Sequence, residues 1–193
     1  MIETHITKQL SVKHPTLAYV MTKKESLVVN LVISSSVSFA AHFSLTMKAA
    51  GGNATVRCIV LPKDGASVTL TTHQIHVAPN AKSDVLVKSV IVDASTVAFQ
   101  GNVSIGAHAK KSDAYQKNEN LLFGVGGVIN TSPILEILNN DVRCTHGVTT
   151  GTIPDDVLWY MRTRGLSTAS ARALYIDGFI RGSIDDIPEY TVA

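Results

Sequence analysis

From about residue 25 to residue 152 the apolar and polar positions alternate with a period of two. The clearest stretch is 37–46, where Val37, Phe39, Ala41, Phe43 and Leu45 fall on one face and Ser38, His42, Ser44 and Thr46 on the other. Such alternation predicts a half-buried strand. The same pattern recurs at 54–61, 68–77, 85–92, 97–99 with 103–105, and 143–149. Turn chemistry separates these runs at Gly51-Gly52-Asn53, Pro62-Lys63-Asp64-Gly65, Pro79-Asn80, Gly101-Asn102 and Asn139-Asn140-Asp141. The first 150 residues are therefore predicted to be essentially all β. Strand-sized runs at this spacing fit a sandwich, a barrel or a parallel solenoid, and no strict repeat chooses among them.

The pattern changes at Thr152. Pro154 followed by Asp155-Asp156 is a helix start, because proline loses no needed donor there and acids complement the helix dipole. Val157, Leu158 and Met161 share a face, and Arg164-Gly165 supplies a stop. A second helix is predicted from Ser167 as N-cap to about 178–182, with Ala169, Ala173, Leu174, Ile176 and Ile180 as its apolar stripe. This divides the chain into a β domain, 1–152, and a helical region, 153–193.

Composition narrows the class. The 193 residues are 45% hydrophobic and 17% charged, enough to bury a core without disulfides and unlike a disordered or low-complexity chain. Mean hydropathy is +0.19, yet apolar stretches such as 27–33 fall well short of the roughly 20 residues that cross a bilayer. No membrane association is expected. The opening residues show no charged patch leading into an apolar run, so the expected compartment is cytoplasmic. The net charge of +2 divides into 13 Lys or Arg against 9 acids in 1–152 and 4 Arg against 6 acids beyond. Neither half carries the concentrated basic patch that nucleic acid requires.

Most candidate chemistry reduces to ordinary structure. Gly124-Val-Gly126-Gly127 lacks both the dinucleotide and the phosphate-loop spacing and reads as a turn. His73 and His76, three apart on a strand, face opposite ways and cannot chelate one ion as a pair. Formal glycosylation sequons at Asn53, Asn102 and Asn130 read as chance matches. Cys144-Thr145-His146 is different. An i, i+2 pair on a strand points to one face, and thiolate with imidazole suits iron, zinc or an iron–sulfur centre. Two ligands are too few for a cluster, which takes about four; any others come from elsewhere in the fold or from a second chain. The competing readings are a buried cysteine beside a backbone-bonded histidine, and a hydrolytic Cys-His dyad, the latter disfavoured for want of a third group.

Three ordered motifs then resemble one family. Ala109-Lys-Lys-Ser-Asp-Ala-Tyr-Gln-Lys-Asn-Glu-Asn-Leu-Leu122 is similar to the A-x-K-T-D-A-Y-Q-x-N-R-N-L-L signature of the SufB/SufD iron–sulfur cluster assembly proteins. Asn140-Asp-Val-Arg-Cys144-Thr-His146-Gly-Val-Thr-Thr-Gly151 resembles the family's D-D-V-x-C-S-H-G-A-T-x-G. Leu158-Trp-Tyr-Met-Arg-Thr-Arg-Gly-Leu-Ser167, with Ala171-Arg172-Ala-Leu174 and Gly178-Phe179, resembles L-F-Y-L-x-S-R-G-L-S…A-R-x-L…G-F. A fainter similarity runs through 75–80 with Ser83 and Lys88. Cys144 and Gly147 match the SufD branch. Glu119 departs from the usual arginine, Ile134 from an acid, Thr168-Ala169-Ser170 from acids, and the chain is far shorter than a typical member.

The resemblance implies a right-handed parallel β-helix followed by a short α-helical hairpin, and a scaffold role without turnover chemistry. Val37, Phe39, Phe43, Val56, Cys58, Val85, Val87 and Val97 would then line one continuous core. It further implies pairing with another SufB/SufD-type chain, as homo- or heterodimer, and docking of the ABC-type ATPase SufC on the helical region. Cys144 and His146 would supply part of a transient iron–sulfur cluster shared between subunits, with no nucleotide bound by this chain itself. Trp159, Tyr160, Arg164 and Phe179 carry the aromatic and arginine character enriched at binding hot spots and are the expected ATPase contacts. The alternative is a structural β-helix adaptor without iron.

Overall fold

The computed structural model describes residues 3–182. Eleven strands run in order β1 (Glu3–Leu10), β2 (Thr16–Met21), β3 (Ser26–Ser35), β4 (Phe39–Met47), β5 (Asn53–Pro62), β6 (Ser67–His76), β7 (Lys82–Val92), β8 (Thr96–Ile105), β9 (Asp113–Phe123), β10 (Val128–Ile137) and β11 (Arg143–Thr152), followed by α1 (Asp155–Thr163) and α2 (Thr168–Arg181). Odd strands form one six-stranded sheet, β1-β3-β5-β7-β9-β11, and even strands a five-stranded sheet, β10-β8-β6-β4-β2. Every pairing within the two sheets is parallel. Each coil thus contributes one strand to each sheet, which makes a β-solenoid of about five turns.

The absence of a strict repeat has a plain cause. Register partners Ser26, Asn53, Lys82, Asp113 and Arg143 lie 27, 29, 31 and 30 residues apart, because both the turns and, to a smaller extent, the strands differ in length from coil to coil. The turns at Gly51, Gly65 and Asn80 hold positive φ, as their residue types allow. Gly101-Asn102, by contrast, is no turn: β8 runs straight through it. A Cβ at Gly101 would stand 1.8 Å from Gln116 Nε2, so glycine serves here to let a buried amide lie across the bore.

Phe43, Val56, Cys58, Val85, Val87 and Val97 line the bore as the alternation requires, and Phe39 packs at its margin. Val37 does not. It is 58% exposed in the turn before β4, where Ser35 Oγ accepts its amide proton. Residues before 25, and the segments of β9 and β10, are further coils that the alternation does not single out.

A second apolar cluster lies outside the bore. Ile59, Leu61, Val90 and Leu121 project from the outer face of the odd-strand sheet and are covered by Ile153, Ile176 and Ile180. At roughly 1.5–3 kcal/mol per fully buried aliphatic side chain, this contact is what attaches the helices. The helix ends follow the expected chemistry: Pro154 precedes α1, Asp155 and Asp156 occupy its first turn, and Ser167 Oγ accepts from Ser170 N at 3.0 Å to cap α2. The stripe of α2 is rotated from the expected one. Ala171, Ile176 and Ile180 are buried with Tyr175 and Phe179 beside them, whereas Ala169, Ala173 and Leu174 face outward. Of the helical region 153–193, residues 183–193 lie outside the described residues.

Candidate functional site

Cys144 and His146 stand on β11, the terminal strand of its sheet. Cys144 is registered on Ala114 and His146 on Gln116, both bore-facing residues of β9. The pair therefore shares the inward face of the last rung, and with no described rung stacked beyond it that face is partly open: His146 is exposed and Cys144 half-buried. Cys144 packs at the edge of Val103, Ile105, Ala109 and Ala114. Burial pushes its thiol pKa up, and the Asp113 carboxylate adds to the effect. Among the described residues no three His, Cys, Asp or Glu side chains come together to hold a metal ion.

Behind this rung the bore turns polar, which the sequence reading did not anticipate. Ser83 Oγ donates to Gln74 Oε1 at 2.7 Å and lies 2.7 Å from His76 Nε2, and Gln74 Nε2 donates to Gln116 Oε1 at 3.3 Å. Because the serine proton is committed to Gln74, Ser83 accepts from His76, which places the imidazole proton on Nε2 and leaves Nδ1 a buried acceptor without a partner. Farther along β9, Asn118 Nδ2 donates to the Val87 carbonyl and Asn120 Nδ2 to Asn118 Oδ1. The signal was available: Gln74, His76, Ser83, Gln116, Asn118 and Asn120 all occupy inward parity in the alternation. Across the register the column Val56, Val85, Gln116, His146 passes from apolar to polar to titratable, at about 4.8 Å per rung.

The two cysteines should separate sharply in reactivity. Cys58 is fully buried and its pKa is pushed up to about 12 by loss of solvent, whereas Cys144 is reachable from the open end. A maleimide dye is expected to label one thiol per native chain, at Cys144, and a second only on unfolding. Two thiols titrating in the native state would contradict this placement.

The helical candidates divide. Trp159 is 66% and Tyr160 55% exposed, and the Arg164 guanidinium sits 5.2 Å over the Tyr160 ring. Trp159 also borders a surface groove with Arg162, Thr163, Leu166 and Thr168. Phe179 instead faces the solenoid, packed against the covered outer cluster, and is placed to hold the helix down.

A parallel β-solenoid ending in an open, cysteine- and histidine-bearing rung, with a two-helix unit on its flank, defines the class as a solenoid core domain of the SUF type: residues 9–179 match the family model for the SUF system FeS cluster assembly SufBD core domain. The chain belongs to the SufB/SufD family. It is 33% identical over 131 residues to the iron–sulfur cluster assembly protein SufD of Escherichia coli K12, covering 67% of this chain and 31% of that one. A SufBD family protein of Synechocystis is 34% identical over 110 residues, 57% of this chain and 24% of the relative. One of Mycobacterium tuberculosis H37Rv is 34% identical over 139 residues, 67% and 35% respectively. The chain thus spans about a quarter to a third of the curated relatives it matches. No helix among the described residues is long and apolar enough to cross a membrane.

Proposed function

We propose that this chain is a scaffold subunit for iron–sulfur cluster assembly, contributing Cys144 and His146 to a cluster completed by a second SufB/SufD-type chain. The observation that carries the reading is the position of these two ligand types on the same face of the terminal rung, half-open to whatever pairs with that end. Thiolate and imidazole are ligands for iron, and two of them leave a site that only further ligands can close. The cluster is cargo here, held and passed on, and the chain performs no turnover chemistry of its own. An ABC-type ATPase docks on the outward face of the helical pair, where Trp159, Tyr160 and Arg164 offer an aromatic and cationic surface.

The test is anaerobic co-purification with a SufB-type partner and a SufC-type ATPase, with iron and acid-labile sulfide measured per complex. Cys144→Ala and His146→Ala are each expected to lower both to a tenth or less of wild type. Their thermal midpoints should stay close to wild type, since neither side chain fills the closed core. Full iron and sulfide in both variants would overturn the reading and leave a β-helix adaptor.

A further inference from the structure

We infer that Lys88 clamps the last turn of α2 to the solenoid and so acts as a positioning residue for the exposed α1–α2 surface. Lysine is almost never fully buried without a partner, yet Lys88 is only 5% exposed, on the outward face of β7 between Ile59 of β5 and Glu119 of β9. Its ammonium donates to the Phe179 carbonyl at 2.5 Å, pairs with Glu119 Oε2 at 3.3 Å and lies 4.6 Å from the centre of the Phe179 ring. Phe179 belongs to the final turn of α2, where carbonyls lack helical partners and the dipole favours a cation. Glu119, gripped also by Lys117 at 2.5 Å, balances the charge.

The argument for positioning lies in direction. The apolar contact of Ile176 and Ile180 with the sheet resists separation of the helix but is non-directional and tolerates sliding and rotation. A hydrogen bond to one named carbonyl, from a cation pinned by a carboxylate on the neighbouring strand, fixes the helix in one register. A methionine at 88 would fill similar space without the cost of desolvating a charge, so packing alone does not account for lysine here.

The consequence for the ATPase rests on the docking reading above; the clamp itself does not. Hydrogen exchange on the full chain separates the two. In Lys88→Met the amides of 168–181 are expected to exchange at least about tenfold faster while those of β3 and β5 are unchanged. Glu119→Gln should act in the same direction by about threefold, and the double variant should resemble Lys88→Met alone, because the two groups act as one unit. Unchanged exchange in α2, or equal acceleration in helix and solenoid, would overturn the clamp; should Lys88→Met not fold, Glu119→Gln decides on the same criterion. Titration with the ATPase is expected to show at least tenfold weaker binding to Lys88→Met. Faster helix exchange with unchanged affinity would uphold the clamp and sink the docking reading.

Discussion

Lowering the pH from 7 to 4 is expected to cost the fold about 3 kcal/mol, most of it through one imidazole. His76 is buried in the bore, and loss of solvent lowers its pKa from 6.5 to about 4, against a smaller opposing pull from the Asp113 carboxylate. A base whose folded pKa lies below its unfolded value binds more protons when unfolded. Stability therefore falls as the pH drops below 6.5 and the loss is largely complete by the folded value. At 1.36 kcal/mol per pKa unit the difference amounts to about 3 kcal/mol. The network explains why protonation is resisted: His76 already donates through Nε2 to Ser83, and a proton on Nδ1 would be a charged donor with no acceptor facing it. Glu119 acts in a different window. Its pKa is lowered, against burial, by its hydrogen bonds and ion pairs with Lys117 and Lys88, so its contribution is present above about 4.5 and is lost below. Urea unfolding at fixed pH steps should show the steepest loss between 6.5 and 4 in wild type and a flatter profile in His76→Gln. Parallel profiles in the two proteins would show that His76 does not carry the effect.

The period of two made the strands legible because each bore-facing residue is buried regardless of which coil it occupies: Phe43, Val56, Val85 and Val97 could be placed without knowing which strands pair. It could not choose between a sandwich and a solenoid, since both bury one face of every strand. Parallel register came only from the family motifs. Where the alternation misled, a local reason is visible. Val37 has the right parity but precedes the strand. Gly101-Asn102 has turn chemistry but sits under a glutamine that needs the space. The helix stripe differs because the face of α2 that meets the outer cluster carries Ile176 and Ile180 with Tyr175 and Phe179 beside them, which leaves Leu174 turned out.

One signal for that packing was present. In β5 and β7 the burial ceases to alternate and becomes continuous from Cys58 to Pro62 and from Val87 to Ile91. In β5 the run from Cys58 to Pro62 is apolar on both parities, as in a strand covered on both faces, and its outer residues Ile59 and Leu61 lie under the helical pair. The candidate site was legible as a pair, since i, i+2 spacing on a strand fixes a shared face. Its surroundings were not, because the polar side chains beneath it come from β6, β7 and β9, and only the coil register brings them together.

Ile180→Asp is expected to release the helical pair from the solenoid, the largest single-residue effect on the fold predicted for this chain. Ile180 is fully buried against the outer cluster of Ile59, Leu61, Val90 and Leu121. Truncation to alanine at such a site costs about 2–5 kcal/mol, and a carboxylate adds the penalty of an unpaired buried charge, for a total above about 4 kcal/mol. The helices relieve that penalty by undocking, which the solenoid survives because its bore does not include them. Four aliphatic side chains of the odd-strand sheet then face water, an exposed apolar patch of the kind that promotes association. The same consequence makes deletion of 153–193 an unclean test of ATPase docking, because it uncovers the patch along with removing the surface. Three measurements follow together: binding of a hydrophobic dye, proteolytic cleavage between Thr152 and Ser167, and retention of the β signal in circular dichroism. Trp159→Ala, at an exposed position, serves as the control and should change none of the three. A dye-silent, protease-resistant Ile180→Asp would mean that the helices are held by something other than this contact.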